Sequence, residues 1–423
     1  MKHRITVKLV PKDIIMYILL VLCLLGCNTV YSTCATKDYR FPELTALFLI
    51  ILLALNIKHL SFSLLNRWIL FFLPYYFLNI VIIMESVSSD KLISFLVKFL
   101  IFIPLLTLII LNDARKGKIW NIIFKLENII YIYAIITLIL WIFVCFFHII
   151  PMTGEIVSSW GGERVYPLYF GIFTTRQTQE FLGIVWTRNQ GIFAEGPMYN
   201  LVLIIAICIE AFIAPIQEKK GKFIWNGMDM RKLIILIIAD ITTFTITGMI
   251  LLLAIFSFKY CLTKSKTVLV GIIKWIGAMI VLIMAWYFSN KLFLLKADTG
   301  SWEVRFDDFL AGFAAWKRNF WFGNGYDTMD AIIYYMSSRR SYNMGYSSGM
   351  FSVLAQGGIA LMLNYIIGFL GYIKYSVQFH RYELISMSIV VILIFITSLF
   401  HFTFVMLLIM AYGYALLIYK FKI

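Results

Sequence analysis

The stretch LIILIIADITTFTITGMILLLAIFSF, residues 233–258, decides how the chain is folded. It is apolar at both ends and polar in the middle, where DITTFTITG interrupts the run. Apolar runs of about the length that crosses a bilayer recur along the whole chain. If residues 233–258 form one long span, the chain has eleven spans; if they form two short spans that meet at the polar segment, it has twelve.

The positions of lysine and arginine decide between these two topologies. With twelve spans every basic cluster falls on one side, which the positive-inside rule identifies as the cytoplasm, whereas with eleven the clusters before and after residues 233–258 face opposite sides. The sequence therefore predicts an all-α, polytopic integral membrane protein with twelve transmembrane helices and both termini in the cytoplasm. The basic clusters are the N-terminal leader, NDARKGK, EKKGK, MRK and KSK, together with Lys58, Arg67, Lys374, Arg381, Lys420 and Lys422.

Composition excludes a soluble globular protein. Of the 423 residues, 61% are hydrophobic and 14% are charged, and the mean hydropathy is +0.88. The leader MKHRITVKLVPKD precedes an apolar run that has no small-residue cleavage site, so we expect a retained first span. Residues 1–423 are expected to form a single transmembrane domain, and the net charge of +15 comes largely from cytoplasmic clusters that contact anionic membrane lipids. The predicted spans lie near 14–31, 42–57, 68–84, 92–111, 128–150, 197–214, 233–244, 247–262, 268–289, 350–372, 383–400 and 403–420.

This topology leaves two long external loops, residues 151–196 and 290–349, in which we expect short amphipathic helices and functional residues. Arginine predominates over lysine in these loops, and its planar fork suits bidentate recognition of phosphate or carboxylate. We expect ligand binding by Arg188 and Arg305, and pairing with loop acids by Arg318, Arg339 and Arg340. The acids that could pair include Glu163, Glu180, Asp307 and Asp308.

The second loop contains SWEVRFDDFLAGFAAWKRNFWFGNGYD, which begins as a helix. Aromatic residues recur at three- and four-residue spacing and form one apolar stripe, as in a helix that lies on the membrane surface or against the bundle. Arg305 falls at the edge of that stripe beside Gly312, whose missing side chain is expected to leave room near the guanidinium. Two glycines in FGNGYD then permit a tight turn.

The first loop ends in TRNQGIFAEGPMYN, where glycines and a proline keep the backbone irregular until the next span begins. Pro197 is favourable at the first helical position, and Glu195 stands just ahead of a helix N-terminus, where the dipole favours its negative charge. Glu195 can be read as a helix-start residue alone. Together with Arg188, it can also be read as part of a site that binds an anionic headgroup and accepts a proton from a hydroxyl.

These stretches resemble motifs of a known family. The pattern R-x-x-G-x-F-x-E-x-P over residues 188–197 resembles the R-x-x-G-x-F-x-E-P stretch of bacterial repeat-unit polymerases of the Wzy type, which build O-antigen and capsular polysaccharide. The helix with Arg305 and Trp316, followed by FGNG, resembles the R…P-x-F-G-x-G stretch that these polymerases share with the O-antigen ligases. SSGMFSVLAQGGIALML at 347–363 is similar to their H-N-x-Y-L…E-x-G-L stretch. The motifs cover about a fifth of the chain.

The sequence departs from the family pattern at two places. Gly196 intervenes between Glu195 and the proline, and the histidine that the ligases carry in the third motif is replaced in the region of 346–348 by Tyr346, Ser347 or Ser348. The missing histidine favours a polymerase over a ligase. His401, in the short external turn between the last two spans, could occupy the same place in space.

The resemblance implies a metal-independent glycosyltransferase without a cofactor, acting on the outer face of the bacterial cytoplasmic (inner) membrane. The donor would be a growing glycan on undecaprenyl pyrophosphate, and the acceptor a hydroxyl of one undecaprenyl-pyrophosphate-linked oligosaccharide repeat unit. Undecaprenyl pyrophosphate would be released. The analogy also implies a chain-length regulator protein as a partner, and nucleic acid is not expected.

Such a reaction needs cations that hold the departing pyrophosphate and a base for the acceptor hydroxyl. Arg188 and Arg305 are the expected pyrophosphate ligands. Glu195 is the expected base or acceptor-orienting carboxylate, and Asp307 and Asp308 are alternative candidates for that role. Additional candidate contacts with substrate are Arg164, Arg176, Asp307, Asp308, Asn324, Tyr326 and, beside the polar segment of residues 242–248, Asp240.

Two rivals remain open: a flippase that transports the same lipid-linked oligosaccharide, and an O-antigen ligase. A transporter is expected to show pseudo-repeated halves and charges buried within its spans. No internal repeat is evident in the sequence, and the arginines of interest lie in the external loops. These observations favour an enzyme that acts on one face of the membrane.

Overall fold

The computed structural model describes residues 11–57, 60–181, 183–217, 228–263, 267–294, 301–340 and 345–419. Residues 1–10 of the N-terminal leader, the EKKGK and KSK clusters, Lys58, Lys296, Lys420 and Lys422 lie outside the described residues. About 70% of the structure is helical, with few strands. The helices are α1 (Pro11–Leu25), α2 (Phe41–Asn56), α3 (Phe62–Ser86), α4 (Leu92–Phe95), α5 (Ile103–Arg115), α6 (Asn121–Trp141), α7 (Gly196–Cys208), α8 (Ala214–Gln217), α9 (Met230–Ile241), α10 (Ile246–Cys261), α11 (Val268–Leu294), α12 (Ser301–Arg318), α13 (Asp330–Tyr335), α14 (Gly349–Phe379), α15 (Glu383–Thr397) and α16 (Phe404–Ile418).

Short π-helical turns link or extend several of these helices. They occupy Leu96–Phe102, Ile142–Phe146 and Ile209–Ile213, so that α4 runs into α5 and α7 into α8. Among the described residues, five helices are long and apolar enough to cross a membrane: Phe62–Ser86, Leu92–Arg115, Asn121–Phe146, Gly196–Ile216 and Gly349–Phe379. Each predicted span coincides with a helix. Twelve crossings, and cytoplasmic termini, stay a prediction.

The polar segment within residues 233–258 separates two helices, as the sequence predicts. α9 ends at Ile241 and α10 begins at Ile246. The hydroxyls of Thr242 and Thr243 donate to the carbonyls of Ala239 and Asp240, each at 2.7 Å, which satisfies acceptors at the helix end. One continuous helix through this segment is therefore excluded.

The first long loop forms strands, so the prediction of an all-α chain with short amphipathic helices in this loop is wrong. β1 (Gly154–Ser158), β2 (Arg164–Tyr169) and β3 (Phe173–Thr174) form an antiparallel sheet, and β4 (Thr178–Phe181) pairs with β5 (Ile184–Thr187) as a hairpin. The turns between them place glycines at positive φ, a backbone conformation that glycine adopts without steric cost. Ser158, Tyr166 and Phe173 are fully buried, which fixes the sheet against the protein.

The helix predicted from SWEVRFDDFLAGFAAWKR exists as α12, but its aromatic stripe does not form the packed face. Ala311 and Ala315 are buried at 1% and 0% exposure, whereas Phe306 is 54% exposed and Phe313 is 38% exposed. The face made of small residues packs against α14 and allows a close approach. The aromatic side chains of the stripe are left largely on the outer surface of the bundle.

α14 is interrupted at Gly358, which has φ +62° and ψ −162°. In an unbroken helix, Ala355 and Gln356 would accept hydrogen bonds from residues 359 and 360. Here the amides of Asn324 and Gly325 donate to these two carbonyls, at 2.8 and 3.1 Å. The freed amides of residues 359 and 360 donate to the carbonyls of residues 320 and 321, at 3.1 and 3.0 Å. The loop of residues 320–325 thus completes the backbone hydrogen bonds of the broken helix.

Beyond the break, α14 and α16 lie against each other through glycines. A Cβ on Gly371 would come within 1.8 Å of the carbonyl oxygen of Gly413, and one on Gly413 within 1.9 Å of the Gly368 oxygen. Such glycines let helix backbones approach closely in membrane bundles. α16 is buried on every side, so this pair of helices forms the centre of the fold.

We expect Gly323→Ala to destabilise the fold more than Gly117→Ala. Both glycines have φ near +70°, but a Cβ on Gly323 would lie 2.3 Å from the Gln356 carbonyl carbon, whereas nothing lies within 4 Å of one on Gly117. The left-handed backbone alone costs about 1–2 kcal/mol, and steric overlap adds about 1–3 kcal/mol. Thermal unfolding of the purified variants in detergent measures the difference. Equal unfolding midpoints would refute the insertion of residues 320–325 into α14.

Candidate functional site

Glu195 occupies the N-cap position of α7, where the sequence places the helix start. Its side chain does not cap the helix, and the Gly196 amide donates to Oε1 of Gln177 at 3.0 Å. The carboxylate therefore lies near the positive end of the helix dipole while its oxygens stay available to donors outside the helix.

Three predicted arginines come together around this carboxylate. The Trp160 indole N–H faces Glu195 and favours its ionised form, and the charges of Arg188, Arg164 and Arg176 all act on it. Arg188 is partly buried beside Glu195, whereas Arg164 and Arg176 are exposed. We call Arg164, Arg176, Arg188 and Glu195 the arginine–glutamate cluster; it holds three positive groups and one negative group.

Burial and charge oppose each other at Glu195. Burial raises the pKa of the Glu195 carboxyl above its usual range, while the Trp160 hydrogen bond and the three arginines lower it, and burial has the larger effect. Burial also lowers the pKa of Arg188, which Glu195 counteracts, and an arginine stays charged at any physiological pH. The cluster therefore keeps a fixed excess of positive charge beside a carboxyl that titrates closer to neutrality.

Glutamine side chains fix the backbone around Arg188. The Arg188 amide donates to the Gln177 carbonyl at 2.9 Å, and its Nη2 donates to Oε1 of Gln179 at 2.5 Å. Oε1 of Gln190 accepts hydrogen bonds from the amides of Arg176 and Gln177, both at 3.1 Å. Two of the three arginines are therefore tied to one hydrogen-bonded backbone, and Nε of Arg188 is buried without a partner in the described structure.

The turn between α9 and α10 supports this backbone from behind. The Asn189 amide donates to the Thr242 carbonyl at 2.9 Å, and Nδ2 of Asn189 donates to the Thr242 hydroxyl at 3.0 Å. A Cβ on Gly196 would come within 3.3 Å of both the Thr243 carbonyl oxygen and Cδ of Arg188. The polar segment that ends α9 therefore sets the position of the Arg188 backbone.

Asp240 does not line the site, contrary to the sequence-based expectation. Its side chain is only 2% exposed, and Oδ1 accepts a hydrogen bond from Nδ2 of Asn200 on α7. Gly248 leaves the space for that amide, since a Cβ there would overlap it at 1.9 Å. Asp240 therefore joins α7 to α9 and has no open path to substrate in this conformation.

Arg305 is not brought into the arginine–glutamate cluster. It lies partly buried on α12, and its charge partner among the described residues is Asp308; burial lowers the pKa of Arg305. The expected room beside Gly312 is filled by the chain itself. A Cβ on Gly312 would meet the Tyr346 hydroxyl at 2.1 Å and Cβ of Phe351 at 2.7 Å.

Asp307 and Asp308 pair with Arg340, which confirms the expectation that Arg340 is structural. Nη1 of Arg340 lies 2.6 Å from Asp308 and 3.0 Å from Asp307. The other carboxyl oxygen of Asp308 accepts hydrogen bonds from the amide and the hydroxyl of Ser347, at 2.9 and 2.5 Å. Burial raises the pKa of Asp308, and its oxygens already have internal donors. Asp308 is therefore not a substrate ligand or base in this structure. Asp307 likewise pairs with Arg340.

Pairing with a loop acid is not seen for Arg318 among the described residues. Arg318 is exposed at the end of α12, and no ion pair reaches it within the described parts of the chain. The side chain of Arg339 lies outside the described residues. The expectation is confirmed for Arg340 alone.

Asn324 and Tyr326 have structural contacts in place of the predicted contacts with sugar. The Tyr326 ring is 0% exposed and packs against Phe95 and Phe402, with ring centroids 4.9 and 4.7 Å apart, so it cannot stack on a saccharide. Nδ2 of Asn324 donates to the carbonyls of Ala315 and Ala355, at 2.7 and 2.9 Å. That amide ties α12 to the break in α14.

His401, in the turn between α15 and α16, lies beside the start of α14, near the place where the ligase pattern carries its histidine. Nδ1 of His401 would be 3.2 Å from a Cβ on Gly349. The side chain is only 5% exposed, and burial together with the charge of Lys98 lowers its pKa to about 3. His401 is therefore neutral and enclosed, without contact to the arginine–glutamate cluster in the described structure.

Sequence reasoning missed the residues that assemble the cluster. Trp160, Gln177, Gln179 and Gln190 carry no recognisable motif, and only the pairing of the strands brings them beside Glu195. Within the described parts of the chain, no group of three or more His, Cys, Asp or Glu side chains could hold a metal ion. The chemistry of the cluster is that of fixed cations around one carboxyl.

Comparison with known proteins adds no relative. Neither a family model, nor a curated protein, nor a solved structure matches this chain.

We expect Arg340→Ala to destabilise the protein by about 3–5 kcal/mol, because it leaves a buried carboxylate without its partner. Arg340 and Asp308 have side-chain exposures of 4% and 1%. The exposed Arg318→Ala is the matched control and should change the free energy of unfolding by about 0.5 kcal/mol or less. Thermal unfolding in detergent compares the two. Similar losses would show that the Arg340 pair does not hold the second loop.

Proposed function

We propose that this protein polymerises undecaprenyl-pyrophosphate-linked oligosaccharide repeat units by glycosyl transfer at the outer face of the bacterial cytoplasmic membrane. The observation that supports this most is the arginine–glutamate cluster at the start of α7: three arginines surround one partly buried carboxyl. It is the arrangement that a lipid-pyrophosphate donor and a hydroxyl acceptor require together.

The arginines suit the leaving group. Bond breakage at the anomeric carbon builds negative charge on the pyrophosphate, and prepositioned guanidinium groups stabilise that charge best in a partly dry site. Arg188 is held by Gln179 and by its own backbone, so little reorganisation is needed at the moment of reaction. The exposed Arg164 and Arg176 give the diphosphate a route from the membrane surface to Arg188.

Glu195 suits the acceptor. The acceptor hydroxyl gives its proton to the Glu195 carboxylate, its oxygen bonds to the anomeric carbon of the donor sugar, and the bond from that carbon to the pyrophosphate breaks. Undecaprenyl pyrophosphate leaves with the electron pair. A base acts best when its pKa lies near the working pH, and burial moves the pKa of Glu195 in that direction. Arg305 is left out of this set because Asp308 is its charge partner.

A flippase for the same lipid-linked oligosaccharide is the second candidate, and the interrupted α14 favours it. Broken helices near the binding site are common in transporters, where free backbone groups hold the substrate. In α14, residues 320–325 already fill the break and bind those backbone groups. The enzyme is therefore the better-supported proposal.

The direct test uses purified protein in proteoliposomes with lipid-linked repeat units. We expect wild type to make glycan ladders, and Arg188→Ala and Glu195→Gln to lower the initial rate by about 100-fold or more. Arg188→Lys should also lose activity because an ammonium cannot bind two phosphate oxygens in the same plane. Arg318→Ala, an exposed arginine, is the control and should keep the wild-type rate.

One result would count against the assigned role of Arg188, and another would count against the enzyme. Full activity of Arg188→Lys would remove the bidentate role of Arg188. Movement of lipid-linked repeat units across the vesicle membrane, without any new glycosidic product, would support the flippase.

The pH dependence of the rate tests Glu195 separately. Because the base must be ionised, the rate should fall as the pH drops through the pKa of Glu195. Trp160→Phe removes a donor to the ionised form, so the pKa should rise and the acidic limb of the profile should move to higher pH. Trp275→Phe, at another exposed indole, should leave the limb in place. An unchanged limb in an active Trp160→Phe would exclude Glu195 as the titrating base.

A further inference from the structure

A polar depression of about 350 Å³ lies between the end of α3 and the loop that fills the α14 break. This volume is within the range of about 300–1,000 Å³ that is typical of small-molecule sites. By the predicted topology the depression opens on the outer side. Its lining consists of Met84, Glu85, Ser86, Val87, Ser88, Asn319, Gly323, Asn324 and Gly325.

The floor of the depression is rigid. Besides the backbone bonds to α14, the Tyr326 amide donates to the Ser86 carbonyl at 2.7 Å, and the Ser86 hydroxyl donates to the Phe322 carbonyl. Gly323 has φ +70° and leaves no space for a side chain against Gln356. The end of α3 and the loop of residues 320–325 are thus fixed before any ligand arrives, which reduces the entropy lost on binding.

Two polar side chains in the lining, those of Glu85 and Asn319, have no partner among the described residues. Glu85 and Asn319 are exposed, and no hydrogen bond or ion pair to either side chain is found among the described residues. One carboxylate beside a primary amide offers both acceptors and donors. This set suits a neutral ligand rich in hydroxyl groups, whereas an anion would be repelled and a lipid tail would leave the polar groups unpaired.

Aromatic surfaces lie next to these polar groups along the chain. Trp321 is 63% exposed and Phe320 is 43% exposed, and both lie between Asn319 and Gly323. The Phe320 ring is braced by Trp316, with stacked ring centroids 4.8 Å apart. Exposed, fixed rings with polar groups alongside are suited to the apolar face and the hydroxyl edge of a sugar.

We propose that the depression is a saccharide-binding subsite, and that it holds sugar residues of the acceptor. This inference rests on the proposed function, and it assigns the subsite to the glycan, separate from the pyrophosphate that the arginine–glutamate cluster would bind. Glu85 and Asn319 bind sugar hydroxyl groups, and the exposed Phe320 and Trp321 follow Asn319 directly in the chain.

The experiment measures binding without catalysis. The full chain in lipid nanodiscs is titrated against a fluorescently labelled repeat-unit oligosaccharide that has been cut from its lipid and pyrophosphate, and anisotropy gives the Kd. Wild type should bind saturably, and Glu85→Gln and Asn319→Ala should each weaken binding about tenfold, the loss expected for a hydrogen bond in a site of this kind. Glu43→Gln, at another exposed outer glutamate, is the matched control and should bind as wild type.

The outcomes separate this inference from the proposed function. Absence of saturable binding to wild type, or an unchanged Kd in both subsite variants, overturns the subsite even if polymer forms. Saturable binding of calcium chloride that depends on Glu85, without binding of the oligosaccharide, overturns it in favour of a cation site. Oligosaccharide binding that weakens in both variants, in a protein that makes no polymer, supports the subsite and rejects the polymerase.

Discussion

The interruption of α14 is the constraint on which this end of the structure depends. A helix of mostly apolar residues opens two of its backbone hydrogen bonds at Gly358, and in a membrane bundle every freed group needs a partner. The loop of residues 320–325 supplies all four partners. Because that loop is also tied to Ser86 at the end of α3, the break joins three parts of the chain that are far apart in sequence. The position of α12, and of the depression beside Gly323, follows from this junction.

The start of α7 obeys a different constraint, which is the cost of placing charges at the edge of an apolar bundle. Glu195 is partly buried, yet it does not cap its helix, and an indole from the first loop favours its ionised form. The Gln177 carbonyl accepts from the Arg188 amide, the Gln179 side chain binds the Arg188 guanidinium, and the α9–α10 turn holds the neighbouring Asn189. Such an arrangement is built to hold charges in place, since the fold would be simpler with apolar residues at these positions.

Local sequence patterns predicted where helices begin and end. They did not predict contacts between segments that are distant in the sequence. Pro197 after Glu195 predicted the start of α7, and DITTFTITG predicted the interruption between α9 and α10, because caps and threonine-rich turns depend on neighbouring residues. The sheets of residues 154–187 were missed, since strand pairing depends on partners elsewhere in the chain. For the same reason the gap at Gly312 was expected to be open, when Tyr346 fills it. The arginines around Glu195 were identified by residue type, and the glutamines that position them carry no local signal.

Charge balance separates the arginines that hold the fold from those that can hold a ligand. In the second loop, Arg305 and Arg340 face Asp307 and Asp308, so two positive charges meet two negative charges and the group is neutral without any substrate. In the arginine–glutamate cluster, the partly buried Arg188 and the exposed Arg164 and Arg176 meet one glutamate, which leaves an excess of two positive charges. The two exposed guanidinium groups remain hydrated, so the fold tolerates this excess without further acids. An anion that carries about two negative charges, as a pyrophosphate does, would balance this excess. The neutral group in the second loop has no such excess to balance.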